Sequence, residues 1–447
     1  MQLNRRGILF TFNMLVPLLS FVVLLINDLF LASYFLVFLY LPLIIINRNC
    51  NFSSFFYFFA NLFYMHRIII IGLNENEFWY DSYFYDTQSF SDTVIYLSIV
   101  LSLVGFIFYV IRFFKKEPNV RVTPQDVKII KALLYTYLVV NFVVALAGGF
   151  TVGYVPPEEF RPFIRMTQFL HPISYLIFIP FFTTREKFIF IFLIISVGLL
   201  VGSKGAIYSI FIALLISKTM FNDNRGKNIA LIALLGLLSG PLMFLIANYI
   251  RYPESFDNAS LVQYLISSSE ILLYIFSDVS HRFGGYFDTL LAFITNANQY
   301  NFDINIKEYM YEMGGAINRM IPGDLFDLNN LYISFEEKSA YELRGQVISF
   351  EEGVGRHTES LAFARFYFLS YFGPVLFLAI FSFLYKMSKN THLLIRLFPY
   401  YFAIDMLSGG DVKSMIVIPL NFIVLLAIFK ILKISLFNFK QKNIYAN

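Results

Sequence analysis

A short polar stretch, Gly353-Val354-Gly355-Arg356-His357-Thr358-Glu359-Ser360, sets an Arg, a His and a Glu directly ahead of an apolar run from Leu361 to Tyr385. His357 and Glu359 can each take a proton from a hydroxyl. Arg356 beside them carries a permanent cation whose planar fork suits phosphate. With Thr358 as an N-cap, Glu359 falls in the first turn of a helix, where a carboxylate is favourable, so capping and base chemistry are compatible. The stretch closes the only long polar interval of the chain, 249–358, which holds 7 Lys or Arg and 15 Asp or Glu. Arg251, Arg282, Arg319 and Arg344 lie in it. His281-Arg282-Phe283-Gly284-Gly285 puts an Arg beside two glycines, where backbone can approach an anionic ligand closely, and Arg251 follows an apolar run at headgroup level. Each of these arginines could instead pair with a loop carboxylate or a lipid phosphate.

Three further places carry charge or rings against an apolar background. Gly202-Ser203-Lys204-Gly205 interrupts a run from Phe188 to Ser217 that is otherwise free of charge. Thirty residues are too many for one span and too few for two, so the turn is expected to sink below the outer surface, where irregular backbone must be buried or line a cavity. A Lys at that depth calls for an anion, unless the hairpin is shallow and the side chain snorkels. His66-Arg67 falls inside an apolar run and is an intramembrane functional candidate, with snorkelling of Arg67 as the alternative. Phe78-Trp79-Tyr80 and Tyr83-Phe84-Tyr85 fit an aromatic belt better than a sugar platform. No Walker loop, H-E-x-x-H or G-x-S-x-G occurs, Asp324 and Asp327 are a lone pair that does not support a metal site, and no nucleic-acid module is visible.

The elements that would position these groups are apolar. Of the 447 residues 58% are hydrophobic and 14% charged, a balance that excludes an ordinary soluble domain. Cys50 is the only cysteine, so no intrachain disulfide or thiolate cluster can form. Runs long enough to cross a bilayer, or nearly so, fall at 8–27, 29–46, 52–73, 93–111, 129–150, 167–182, 188–201, 206–220, 228–248, 361–385, 392–408 and 412–433. The first follows Met1–Arg6 without an A-x-A-like site and is expected to be a retained span rather than a signal peptide.

Loop charges orient these spans. With the N-terminus inside, the inner loops hold Arg5, Arg6, Arg48, Arg112, Lys115, Lys116, Arg121, Arg185, Lys187, Arg225, Lys227, Lys386 and Lys389, and the tail holds Lys430, Lys433, Lys440 and Lys442. The outer loop 74–92 holds five carboxylates and no Lys or Arg. This is a positive-inside pattern with both termini cytoplasmic. The expected organisation is a membrane core over 1–248, a large outer loop over 249–358, and three last spans with a cytoplasmic tail over 359–447. Short apolar runs within the loop, Leu261–Ile266 and Ile271–Phe276, read as interfacial or packing helices.

Together these features resemble the Wzy-type O-antigen polymerases, within the wider O-antigen ligase-like group of glycosyltransferases. The architecture is similar over the whole chain. Lys204 in Gly-Ser-Lys-Gly is similar to the basic residue of a short Ser-basic-Gly turn in these enzymes, and Arg282 looks like their loop arginine. His357 in His-Thr-Glu-Ser-Leu looks like the ligase-type His ahead of a span. Arg344 and Gly355, ten residues between them, are similar to an Arg-x10-Gly motif of some polymerases.

The resemblance implies an all-α, GT-C-like polytopic transmembrane helix bundle of about twelve spans with one large, partly helical periplasmic loop. The resemblance also implies a place in the bacterial inner membrane, with the active site on the periplasmic side. The resemblance implies transfer of a growing glycan from undecaprenyl diphosphate to a hydroxyl of a lipid-linked repeat unit, with no metal or other cofactor. Lys204, Arg282, Arg251, Arg344 and Arg356 would face the diphosphate, and His357 or Glu359 would take the acceptor proton. Implied partners are the undecaprenyl-diphosphate-linked oligosaccharides, membrane lipid, a chain-length regulator and a flippase, and no nucleic acid. An O-antigen ligase acting on lipid A-core is the nearest alternative. A polysaccharide flippase is the alternative from another class; the long outer loop and the lack of similarity between the chain's halves argue against it.

Overall fold

The computed structural model describes residues 51–60, 88–97, 122–147, 179–200, 204–221, 372–408 and 412–445, with the single positions or pairs 22, 63–64, 67–68, 100, 157, 159–160, 163, 246, 249, 287–288, 290–291 and 294–295. Among the described residues the structure is all helical, with no strand. Seven helices carry the description: α1 (Asn51–Ala60), α2 (Pro124–Leu146), α3 (Thr184–Leu200), α4 (Lys204–Phe221), α5 (Phe372–Ser388), α6 (Leu393–Ser408) and α7 (Val412–Tyr445). Two segments are long and apolar enough to cross a membrane, Pro124–Leu146 and Ile418–Ser435.

Several helices start before their apolar runs, because caps rather than hydropathy set helix ends. The run expected to span from 129 belongs to a helix that begins at Pro124. Thr123, in extended backbone, accepts from the Asp126 N–H at 3.2 Å, and the Asp126 carboxylate accepts from the Thr123 N–H at 2.9 Å. This capping box satisfies two groups that the first turn would otherwise leave open, and Pro124 costs no hydrogen bond at the first position. Thr183 and Glu186 repeat the device ahead of the apolar run that begins at Phe188. The helical stretch 88–97 likewise begins ahead of the run expected from 93, with the Gln88 amide donating to Asp92 at 3.0 Å. At the other extreme α7 is 34 residues long. That is about 51 Å of helix, longer than the about 30 Å apolar core of a bilayer.

Ring contacts fix the direction of each helix against its neighbours. Phe56 meets Phe377 at 6.4 Å while Phe52 meets Phe381 at 5.6 Å, so α1 and α5 run antiparallel. Phe52 and Phe55 both pack edge-on to Tyr400, and Tyr64 reaches Leu407, so the 51–68 region and α6 run parallel. α5 and α6 form a hairpin closed at Lys389–Asn390, where Asn390 Oδ1 accepts from the His392 N–H at 2.8 Å. α7 returns antiparallel to α6, with Phe398 on Phe422 at 4.6 Å and His392 on Phe429 at 6.2 Å. α2 and α3 run parallel: Lys131 meets Glu186 and Tyr135 meets Phe190.

The core is aromatic where α1, α5 and α6 meet, with Phe52, Phe55, Phe56, Phe377, Phe381 and Tyr400 all buried. Between helices in lipid the hydrophobic drive is weak, so such contacts act through packing and ring electrostatics, about 0.5–1.5 kcal/mol for a well-placed pair. Fewer than half of the residues of the two longest apolar segments are buried, 33% of an 18-residue stretch within Pro124–Leu146 and 11% of Ile418–Ser435. On α2 a stripe of Ile129, Ile130, Leu133, Leu134 and Leu138 is buried, while Val139, Phe142, Val143 and Leu146 point outward. A helix apolar on both its covered and its uncovered face suits lipid on the open side.

Candidate functional site

The most deeply enclosed charges among the described residues belong to Arg67 and Asp288. Arg67 lies in the apolar run 52–73, and Asp288 lies in the long polar interval, in the sequence Phe287-Asp288-Thr289-Leu290-Leu291. Both side chains are 0% exposed. The Arg67 Nε–H donates to both carboxylate oxygens of Asp288, at 2.9 Å to Oδ1 and 3.0 Å to Oδ2. Arg67 therefore does not snorkel. It is neutralised in place by a group 221 residues away. Removing one member of such a pair leaves a bare charge out of water, at a cost of about 3–5 kcal/mol.

The surroundings seat a piece of the polar interval among apolar helices. Phe287 packs edge-on to Phe90 at 6.0 Å. Phe287, Leu290, Leu291, Ile294 and Thr295 are helical and buried along with Asp288. Their spacing of three and four places them on one helical face. The Tyr64 hydroxyl, one turn before Arg67, donates to the Leu407 oxygen of α6 at 2.6 Å. The charge pair joins the apolar run 52–73 to the interval 249–358, and the Phe287–Phe90 contact joins the interval to the stretch that starts at 88. Asp288 escapes a motif search because the interval is rich in carboxylates. The usable signal is a lone acid within Phe287–Ile294, otherwise free of charge.

The residues singled out from sequence distribute as follows. Lys204 is the first residue of α4, and Gly205 the second, so half of the expected Gly-Ser-Lys-Gly turn is helix instead. α3 and α4 have 17 and 18 residues, about 26 and 27 Å each, longer than the half-spans suggested by the apolar run alone. Arg251, Arg282, Arg344, Arg356, His357 and Glu359 lie outside the described residues, as do His66, Trp79 and the other rings of 78–85. Among the described residues no three His, Cys, Asp or Glu side chains gather as a metal site.

A second set of charges joins α2, α3 and α7. Lys433 donates to Asp126 Oδ1 at 2.8 Å, joining α7 to the capping box of α2. Lys131 donates to Glu186 Oε1 at 2.6 Å and lies over the Phe182 ring at 5.0 Å. The Lys131 bond, reinforced by the Thr183 N–H, holds the Glu186 carboxyl down to about 2. Arg396, in the first turn of α6, is buried too. The Lys131–Glu186 and Lys433–Asp126 pairs are partly exposed and tie α3 and α7 to α2. Against known proteins the chain matches no family model, no curated protein and no solved structure.

Proposed function

We propose that the protein is a polysaccharide polymerase of the O-antigen type, a membrane glycosyltransferase that moves a growing glycan from undecaprenyl diphosphate onto a lipid-linked repeat unit at the periplasmic face of the inner membrane. The observation that supports it most is the Arg67–Asp288 pair. Part of the long polar interval is seated among the apolar helices rather than standing off as a separate soluble domain. A loop so anchored can hold cations over a lipid diphosphate that enters sideways from the outer leaflet.

The helix directions also support the twelve-span reading. Numbering the apolar runs alternately outward and inward makes α1, α2, α3 and α6 parallel to one another and α5 and α7 antiparallel to them. The contacts of Phe52, Phe56, Tyr64, Phe398 and His392 have those senses among α1, α5, α6 and α7, and that of Tyr135, with the Lys131–Glu186 pair, between α2 and α3. In this frame Asp288 and Arg67 belong to the outer half, as a periplasmic loop over 249–358 requires.

In the proposed reaction an acceptor hydroxyl attacks the anomeric carbon of the donor sugar, and the bond to diphosphate breaks. Lys204, Arg282 and Arg251, with Arg344 and Arg356, stabilise the charge that grows on the departing diphosphate. His357 or Glu359 takes the hydroxyl proton. The lipopolysaccharide banding pattern of a strain lacking the gene tests this. A single repeat unit on core is the expected result. Lipid-linked polymer with none on core would point to a ligase instead, and absence of any product outside would point to a flippase.

A further inference from the structure

We infer that the N-terminal ends of α2 and α3 bind one anionic phospholipid, with its phosphate between Lys128 and Arg185 and an acyl chain in the apolar groove beyond them. The inference needs a bilayer around these two helices and none of the chemistry proposed above. In the topology proposed there, the site faces the cytoplasmic leaflet.

The charges at these ends divide into matched and open ones. Asp126 holds Lys433 at 2.8 Å and Glu186 holds Lys131 at 2.6 Å, so each of these acids already faces a lysine. Lys128 and Arg185 are exposed, and neither makes an ion pair among the described residues. The two bases also lie close in height. Lys131 meets Glu186 and Tyr135 meets Phe190, a register that sets Lys128 level with Thr183. Arg185 is two residues further along, about 3 Å. Helix axes pack about 8–10 Å apart, a gap that a Lys and an Arg reaching toward each other can bridge through one phosphate.

Both bases open on the same side of the helix pair. Successive residues turn by about 100°. Viewed from the N-terminal ends, Lys128, Val139 and Val143 sit about 40–100° clockwise of the Lys131–Tyr135 contact line on α2. On α3, Arg185, Ile189 and Leu200 sit about 60–120° anticlockwise of the Glu186–Phe190 line. For parallel helices these opposite rotations face one common groove, and Lys187 falls on its far side. The groove is uncovered: Val139 is 59% exposed, Ile189 40%, and Phe192 beside it 69%. Cations at the end of an apolar groove match a phospholipid, with its phosphate above its hydrocarbon. A zwitterionic head brings its own ammonium against the two bases, so they favour a head with net negative charge. A soluble anion would leave the groove unused.

The test places one reporter in the groove of the full-length protein. Phe192→Trp with Trp79→Phe leaves a single tryptophan, about two turns from Arg185. The protein is reconstituted in vesicles of brominated phosphatidylglycerol with plain phosphatidylcholine, and in the reverse mixture. Bromine on a neighbouring chain quenches the tryptophan, so the two mixtures give a relative binding constant. Phosphatidylglycerol is expected to be preferred at least about fivefold, and Lys128→Gln with Arg185→Gln to bring this within about twofold. Lys430→Gln removes an exposed lysine of α7 and is expected to leave the preference unchanged.

Absence of any preference in the reporter protein overturns the inference, without reliance on a charge variant. A preference that survives the double substitution overturns it as well. An equal loss from Lys430→Gln would mean diffuse surface charge in place of a site. Quenching by neither lipid would mean that protein covers the groove, as in a dimer of this chain. Each of these two results also overturns it. No activity is read, so failure of the polymerase reading leaves the result standing.

Discussion

The Tyr64 hydroxyl donates to the main-chain oxygen of Leu407 at 2.6 Å, a buried bond that joins the run 52–73 to the last turn of α6 across 343 residues of sequence. It sets Tyr64 at the height of the last turn of α6. The oxygen of Leu407 lies near the C-terminus of its helix, where carbonyls lack intrahelical partners.

Tyr64→Phe keeps the ring and removes this donor. The expected loss is about 0.5–1.5 kcal/mol, in line with single hydrogen bonds between membrane helices. Thermal unfolding of the detergent-solubilised protein measures it. A variant with an unchanged midpoint would mean that the bond adds nothing to the contact between the two helices.

Acid should loosen the start of α3. The Glu186 carboxyl is held at about 2, against an ordinary value of 4.5, first by the Lys131 bond and then by the Thr183 N–H. A lowered value means that folding favours the ionised form, so the stabilisation is complete above pH 4.5 and fades as pH falls from there through about 2. Glu186→Gln, which keeps hydrogen-bonding capacity without the charge, should flatten this part of the stability profile. Equal acid sensitivity in parent and variant would place the responsible carboxylate elsewhere.

Sidedness can be settled with single cysteines in a Cys50→Ser background. Asn298 should react with an impermeant reagent from outside, and Asn224, in the Arg225–Lys227 loop, only after the membrane is opened. Reaction of Asn224→Cys in intact cells would invert the topology and with it the periplasmic site.

His357→Ala should abolish polymer while protein level and membrane insertion hold, since a lone loop His contributes little to stability. His357→Gln should fail too, because Gln hydrogen-bonds but takes no proton. Glu359→Gln separates the two candidate bases. Normal polymer from His357→Ala together with none from Glu359→Gln would make Glu359 the base. Normal polymer from both would move the site away from this stretch.

By itself the sequence determined the helical, apolar character of the chain. A run such as 129–150 must satisfy its backbone internally, and the helix α2 does so through Leu146. It also marked Arg67 as a charge in an expensive place, because that cost depends only on the residue and its immediate neighbours. The caps, Thr123 with Asp126 and Thr183 with Glu186, were not read from the sequence, and hydropathy alone started those helices late. The partner of Arg67 was not legible. Asp288 is one of many acids in the interval, and no local pattern ties it to a site more than two hundred residues earlier. Neither Tyr64 on Leu407 nor Lys433 on Asp126 could be read in advance. Periodicity and capping are local and act within a few residues. Which helices meet, and at what height, is decided by many weak packing contacts summed over the whole bundle, and only the folded chain performs that sum.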